Sequence, residues 1–133
     1  MAVISGDGVF SHVMMGAHDL DASVKFYDAA LGALGINNLG PFGNGWVLYG
    51  REKPAFIVAR PGNGEEPTSN GMTIGFAGAT TAEVDAFHAA GLAAGGTDEG
   101  APGPRGHLPG AYAAYLRDPA GNKVCSYTFT DGN

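Results

Sequence analysis

Asp19-Leu20-Asp21-Ala22-Ser23-Val24-Lys25-Phe26-Tyr27, leading on to Leu31-Gly32, is the stretch from which the fold is read. Asp19 offers a side-chain oxygen to the unpaired N–H groups at a helix start. Behind it Leu20, Val24, Tyr27, Leu31 and Leu34 recur at spacings of 4, 3, 4 and 3, one apolar stripe of an amphipathic helix. Gly32 and Gly35 supply the stop. Upstream, residues 10–16 read as a short, mostly apolar strand. Downstream, 37–45 reads as a turn-rich connector, 46–50 as a strand, Glu52-Lys53-Pro54 as a turn and 55–59 as another strand.

After residues 61–70, rich in Pro, Gly and Glu and read as a linker, the order of elements restarts. Residues 72–77 form a strand, and Thr80-x-x-Glu83 is a capping box. The helix it opens carries Val84, Phe87, His88 and Leu92 on one face and ends at Gly95-Gly96. A Gly- and Pro-rich loop is expected up to Gly110, then strands over 111–116 and 123–129 around Asp118-Pro119-Ala120-Gly121-Asn122. Adding 61 carries His12 onto Thr73, Asp19 onto Thr80, Phe26 onto Phe87, Leu31 onto Leu92 and Gly35 onto Gly96. In the later strands the offset drifts to 66, pairing Tyr49 with Tyr115, and to 67, pairing Val58 with Cys125. Each half reads β-α-β-β(-β), and neither is large enough to bury its sheet alone. The expected architecture is α+β, with paired βαβββ modules over 9–60 and 71–130 forming a curved mixed sheet around a cavity in a single domain, 1–133.

Composition narrows the function. The 133 residues include 23 Gly and 8 Pro, but 44% are hydrophobic and only 15% charged, which suits a folded chain. Net charge is −6, and the seven basic residues form no run, so a nucleic-acid groove is not expected. No apolar run approaches the ~20 residues that span a bilayer. Residues 1–8 carry Asp7 and no basic segment, so no signal peptide is expected. The single Cys125 forms no intramolecular disulfide and suits a reducing cytoplasm.

Together, Ser11-His12-Val13, the Asp19–Tyr27 stretch with Leu31-Gly32, Asp85-Ala86-Phe87 and Leu116-Arg117-Asp118-Pro119-Ala120-Gly121-Asn122-Lys123-Val124 resemble the vicinal oxygen chelate superfamily. This family includes glyoxalase I, bleomycin-resistance proteins and extradiol dioxygenases. The resemblance covers nearly the whole chain, from Val9 to Phe129. It implies paired βαβββ modules lining a cavity, and a homodimer, in some relatives with modules exchanged between chains. In metal-dependent relatives the first and last strand of each module supply the metal ligands. Those positions map here onto His12, Val58, Thr73 and Cys125, a degenerate set in which Val58 cannot coordinate at all.

The candidate residues follow from both lines of argument. His12 is a retained metal ligand or general base, or else a half-buried strand histidine. His107, in Arg105-Gly106-His107-Leu108-Pro109-Gly110, is a second catalytic candidate, or a solvated loop residue. Arg105 would meet an anionic group of a substrate, whereas Cys125 reads as inert packing. Trp46, Tyr49, Tyr115 and Tyr127 would line a cavity for a flat or aromatic ligand, unless they are ordinary strand aromatics. The expected function is binding of a small hydrophobic or aromatic molecule, with no cofactor. The alternative is a metal-dependent lyase, isomerase or dioxygenase holding Ni, Zn, Mn or Fe through His12 and substrate oxygens. Residues 96–110 are expected to form a mobile cover beside the cavity.

Overall fold

The structure is a computed structural model and describes residues 10–43 and 45–130. Its elements run β1 (Val13–Gly16), α1 (Leu20–Gly32), β2 (Asn37–Phe42), β3 (Trp46–Gly50), β4 (Phe56–Ala59), β5 (Thr73–Ala77), α2 (Thr81–Ala93), β6 (Thr97–Pro104), β7 (Ala111–Arg117) and β8 (Lys123–Phe129). They form two four-stranded sheets, ordered β1-β4-β3-β2 and β5-β8-β7-β6. In each sheet the first and last strands of the module pair in parallel and the remaining pairs are antiparallel. One βαβββ path is thus used twice.

Both helices start where the caps predict. Asp19 accepts from Ala22 N at α1, and Thr80 accepts from Glu83 N at α2, while Glu83 reaches back to Ala79 N. The helices pack on each other and on one side of the sheets, over a single core in which Phe26, Tyr27 and Leu31 meet Phe56, Val58, Phe76, Phe87, Leu116 and Val124. Leu92 is not part of that core but 40% exposed. Gly91 takes the core-facing place instead, because a Cβ there would lie 2.4 Å from Leu116 Cδ1.

Two segments read as loops are strands. The 37–45 connector contains β2, and the Gly-rich 96–110 segment contains β6, hydrogen-bonded to β7. Both lie at the outer edge of their sheet and pair on one side only. A proline there removes an N–H that no neighbour needs, which is why Pro41, Pro102 and Pro104 are tolerated. Register shifts at Asn38/Gly40 and between Asp98 and Gly103 absorb the irregularity. The expected cover is thereby corrected: only 105–110 remains a loop in this segment.

The Asp118–Asn122 turn does more than reverse the chain. Asp118 is 3% exposed and its carboxylate accepts from Ala120 N, Asn122 N and Asn122 Nδ2, each at 2.9 Å. It also accepts from Tyr27 Oη of α1 at 2.6 Å. Asn122 Nδ2 in turn donates to Gly16 O, at the end of β1, at 2.8 Å. The two sequence patterns that suggested the fold therefore meet in space, and their polar residues join the modules.

Candidate functional site

Side chains in a strand alternate between faces, so the registers fix which residues share a surface. On the first sheet, Val47, Tyr49, Phe56 and Val58 turn toward the helices. The opposite, helix-free face carries Met14, Trp46, Leu48, Ile57 and Ala59. On the second sheet the helix-free face carries Thr73, Gly75, Tyr115, Arg117, Lys123, Cys125 and Tyr127.

These registers correct the repeat by one residue. Val13 faces Phe56 and Ile74 faces Val124, so Cys125 corresponds to Ile57 and not to Val58. Tyr49 faces Phe56 and Leu116 faces Val124, so Tyr115 corresponds to Leu48 and not to Tyr49. A slip of one position moves a side chain to the other side of a sheet. Val58 is accordingly buried in the core. Tyr49 is fully buried too, donating to Asp28 Oδ1 at 2.9 Å, and burial with that bond pushes its phenol strongly up. Neither residue lines a cavity.

A cavity of about 450 Å³ does open on the helix-free face of the first sheet. Met14, Trp46, Ala59, Pro61, Pro67 and Met72 supply most of its apolar wall, and Asn122 reaches it from the second module. The 61–70 segment, read from sequence as a spacer, is one wall. It lies directly on β1, since a Cβ at Gly16 would come within 2.8 Å of Pro67 Cβ. Arg60 Nη1 donates to His18 O at 2.8 Å, and His18 Nδ1 is bonded to Glu66, so the first part of this wall is tied to the residue just before the α1 cap.

A second cluster lies on the helix-free face of the other sheet. Tyr115 and Tyr127 meet edge to face at 5.8 Å with their hydroxyls bonded to each other. The Arg105 guanidinium lies 5.4 Å from the Tyr115 ring centroid and the Lys123 ammonium 5.2 Å from it. Cys125 sits opposite Tyr115 on β8 and is 3% exposed. Burial pushes its thiol up to about 12, against the pull of Lys123 and Arg105.

The structure thus brings together Arg105, Tyr115, Tyr127 and Cys125, and places Trp46 at the cavity. His12 is exposed and bonded to its neighbour Ser11 at 3.0 Å. Thr73 is exposed at the start of β5, and His107 is exposed in the 105–110 loop. Sequence reading missed Lys123, Met14 and Met72 as site residues. The parity of positions 123, 125 and 127, and of 12, 14 and 16, is the signal that points to the first two.

The donor set does not fit a divalent metal. Corrected for register, the four family positions hold His12, Ile57, Thr73 and Cys125, and the last is a thiol where metal binding needs a thiolate. Among the described residues no three His, Cys, Asp or Glu side chains converge.

The sequence profile described as Glyoxalase/Bleomycin resistance protein/Dioxygenase superfamily matches residues 9–125. The chain belongs to this superfamily. Within it, a solved glyoxalase/bleomycin resistance protein from Albidiferax ferrireducens T118 is 48% identical, with a TM-score of 0.79 over 90% of this chain and 98% of that one. A glyoxalase/bleomycin resistance protein/dioxygenase family enzyme from Burkholderia phytofirmans PsJN shares the fold at 19% identity, with a TM-score of 0.71 over 90% of this chain and 98% of that one. So does a lactoylglutathione lyase from Agrobacterium tumefaciens, at 21% identity and TM-score 0.63 over 92% of this chain and 94% of that one. No curated protein matches the chain. Among the described residues no helix is long and apolar enough to cross a membrane.

Proposed function

We propose that this glyoxalase/bleomycin-resistance family member binds a small hydrophobic or aromatic molecule between its modules and needs no metal to do so. The observation that carries this reading is the cavity of about 450 Å³ under the 61–70 segment. Its volume lies in the ~300–1,000 Å³ range of small-molecule sites, and its wall is mainly Met, Trp, Ala and Pro side chains, with Arg60, Thr68, Ser69 and Asn122 as its polar members. Met14 and Met72 adapt to rings of varied outline. The proposal includes a cytoplasmic homodimer, in line with the family resemblance and the single cysteine.

Trp46 is the only tryptophan in the chain, so its fluorescence reports on the cavity alone. Titration with naphthalene is expected to give a saturable change in that signal. Ser69→Phe, which directs a ring into the cavity from its wall, is expected to weaken binding at least tenfold with the fold intact. A signal that never saturates, or equal affinity in the variant, would overturn the reading. Addition of Ni, Zn, Mn or Fe salts is expected to leave the melting temperature unchanged. Stoichiometric metal that stabilises the chain and is lost in His12→Ala would favour the metal-dependent lyase, isomerase or dioxygenase instead.

A further inference from the structure

The helix-free faces of the two sheets differ in charge. The first presents Met14, Leu48, Ile57 and Ala59. The second holds two cations, Arg105 and Lys123, beside the hydroxyl-bearing ring of Tyr115. Among the described residues, two of the seven Lys and Arg side chains have a carboxylate within 4.0 Å. Arg117, which faces Lys123 across β7 and β8, is matched by Glu99 at 3.1 Å. Arg60 lies near Glu66. Among the described residues Arg105 and Lys123, like Lys25, Arg51 and Lys53, have no carboxylate within 4.0 Å, and these two alone converge on one ring, that of Tyr115.

Arg105 is nevertheless held in place. Its Nη1 donates to Gly103 O at 3.0 Å and to Pro104 O at 3.2 Å, and its Nη2 donates to Ala101 O at 3.1 Å. These bonds to neutral carbonyls fix the guanidinium against Tyr115 and leave its charge uncompensated. The Tyr115–Tyr127 hydroxyl pair carries one proton more than it needs for its mutual bond, so one O–H is available to an acceptor. Both cations also act on Cys125, which places that thiol and the two charges in one neighbourhood.

The cluster comes nearest the cavity at Lys123. Lys123 follows Asn122, a cavity-wall residue, and it faces Thr73, which follows Met72, another wall residue. We propose that Lys123 and Arg105, with a Tyr115 or Tyr127 hydroxyl, form an anion subsite, and that the molecule bound here is an aromatic or apolar carboxylate. Its apolar body lies in the cavity and its carboxylate on the two cations. The assignment rests on the cavity reading above and adds the charge of the ligand to it. Hydrogen bonds to an ionised group are about twice as strong as neutral ones, so the subsite discriminates an acid from its amide.

The test uses the matched pair 2-naphthoate and 2-naphthamide, followed through Trp46 in the full chain. The acid is expected to bind at least tenfold more tightly than the amide, and raising salt from 20 to 500 mM is expected to narrow that gap. In the Arg105→Gln/Lys123→Gln double variant the gap should fall to within about twofold while amide affinity holds, and Arg105→Lys/Lys123→Arg should retain most of it. Equal affinity of acid and amide for the unaltered chain would overturn the anion subsite and leave the apolar cavity standing. A gap that survives the double glutamine variant would overturn the residue assignment. Absence of saturable binding by both compounds would remove the cavity reading and this one with it.

Discussion

At the end of β1 the carbonyl of Gly16 accepts from Asn122 of the other module at 2.8 Å. At the end of β5, 61 positions on, the carbonyl of Ala77 accepts from Arg51 of the first module at 3.3 Å. The two modules thus tie each other at equivalent places, where each inner edge strand has a backbone group left over. The donors are unlike: a buried amide locked to Asp118 on one side, an exposed guanidinium shared with Leu34 O on the other. The helix-free faces diverge in the same way, Leu48 and Ile57 standing where the second module has Tyr115 and Cys125. Backbone register is what the repeat retains, because a slip would turn every core residue outward. Side chains off the core are free to take on different chemistry.

Three measurements bear on this comparison, the largest effect first. Asn122→Ala strips a buried donor from both Gly16 O and Asp118, and is expected to cost about 2–3 kcal/mol in chemical denaturation. Arg51→Ala, at the matching tie, is expected to cost about 1 kcal/mol or less, because water replaces an exposed donor. Equal losses would show that the ties are energetically alike after all.

Tyr49→Phe removes a buried hydroxyl from Asp28, for an expected loss of about 1 kcal/mol. Tyr115→Phe is expected to stay within about 0.5 kcal/mol, since its ring stands on the open face. The same pair sharpens the face assignment through ligand binding. Tyr115→Phe should weaken 2-naphthoate binding and Tyr49→Phe should not; the reverse order would undo the corrected register.

The smallest effect concerns pH. The Cys125 thiol is raised to about 12 in the fold from a reference near 9.0. The neutral thiol is favoured in the folded chain, so its contribution is complete below pH 9 and is lost as pH climbs from 9 toward 12. Stability is therefore expected to start falling above pH 9, and Cys125→Val, which mimics the first module's Ile57, should flatten the fall between pH 9 and 10. An unchanged slope would mean that the thiol does not carry this part of the profile.

How much of this was legible beforehand depends on what kind of signal each element leaves. Helices α1 and α2 announce themselves through Asp19 and Thr80, because cap chemistry is local and side chains carry it. Strands β3, β4, β7 and β8 are evident as apolar runs. The edge strands β2 and β6 are not, since half their hydrogen bonds go unused and Gly and Pro are tolerated there. Of the residues expected at the site, Trp46, Tyr115 and Tyr127 stand on the helix-free faces with Arg105 against Tyr115, whereas Tyr49 and Val58 are buried in the core. The cause is a single-residue uncertainty in a loop offset. It barely matters for a strand's existence, yet it reverses which face each residue occupies. The cavity wall was hidden for a different reason: residues 61–70 have the composition of a spacer, and only their packing on Gly16 gives them a role.

That contact makes residue 16 an adjuster of the cavity wall. Hydrogen is the only side chain that lets Pro67 rest on β1. Each added carbon would act as a shim beneath the 61–70 wall, raising Pro67 from the sheet while Arg60 and Glu66 stay tied to His18. The height of that wall above the sheet is thus set by one backbone position. The proposed site could be widened or narrowed there without altering either of the faces it is built on.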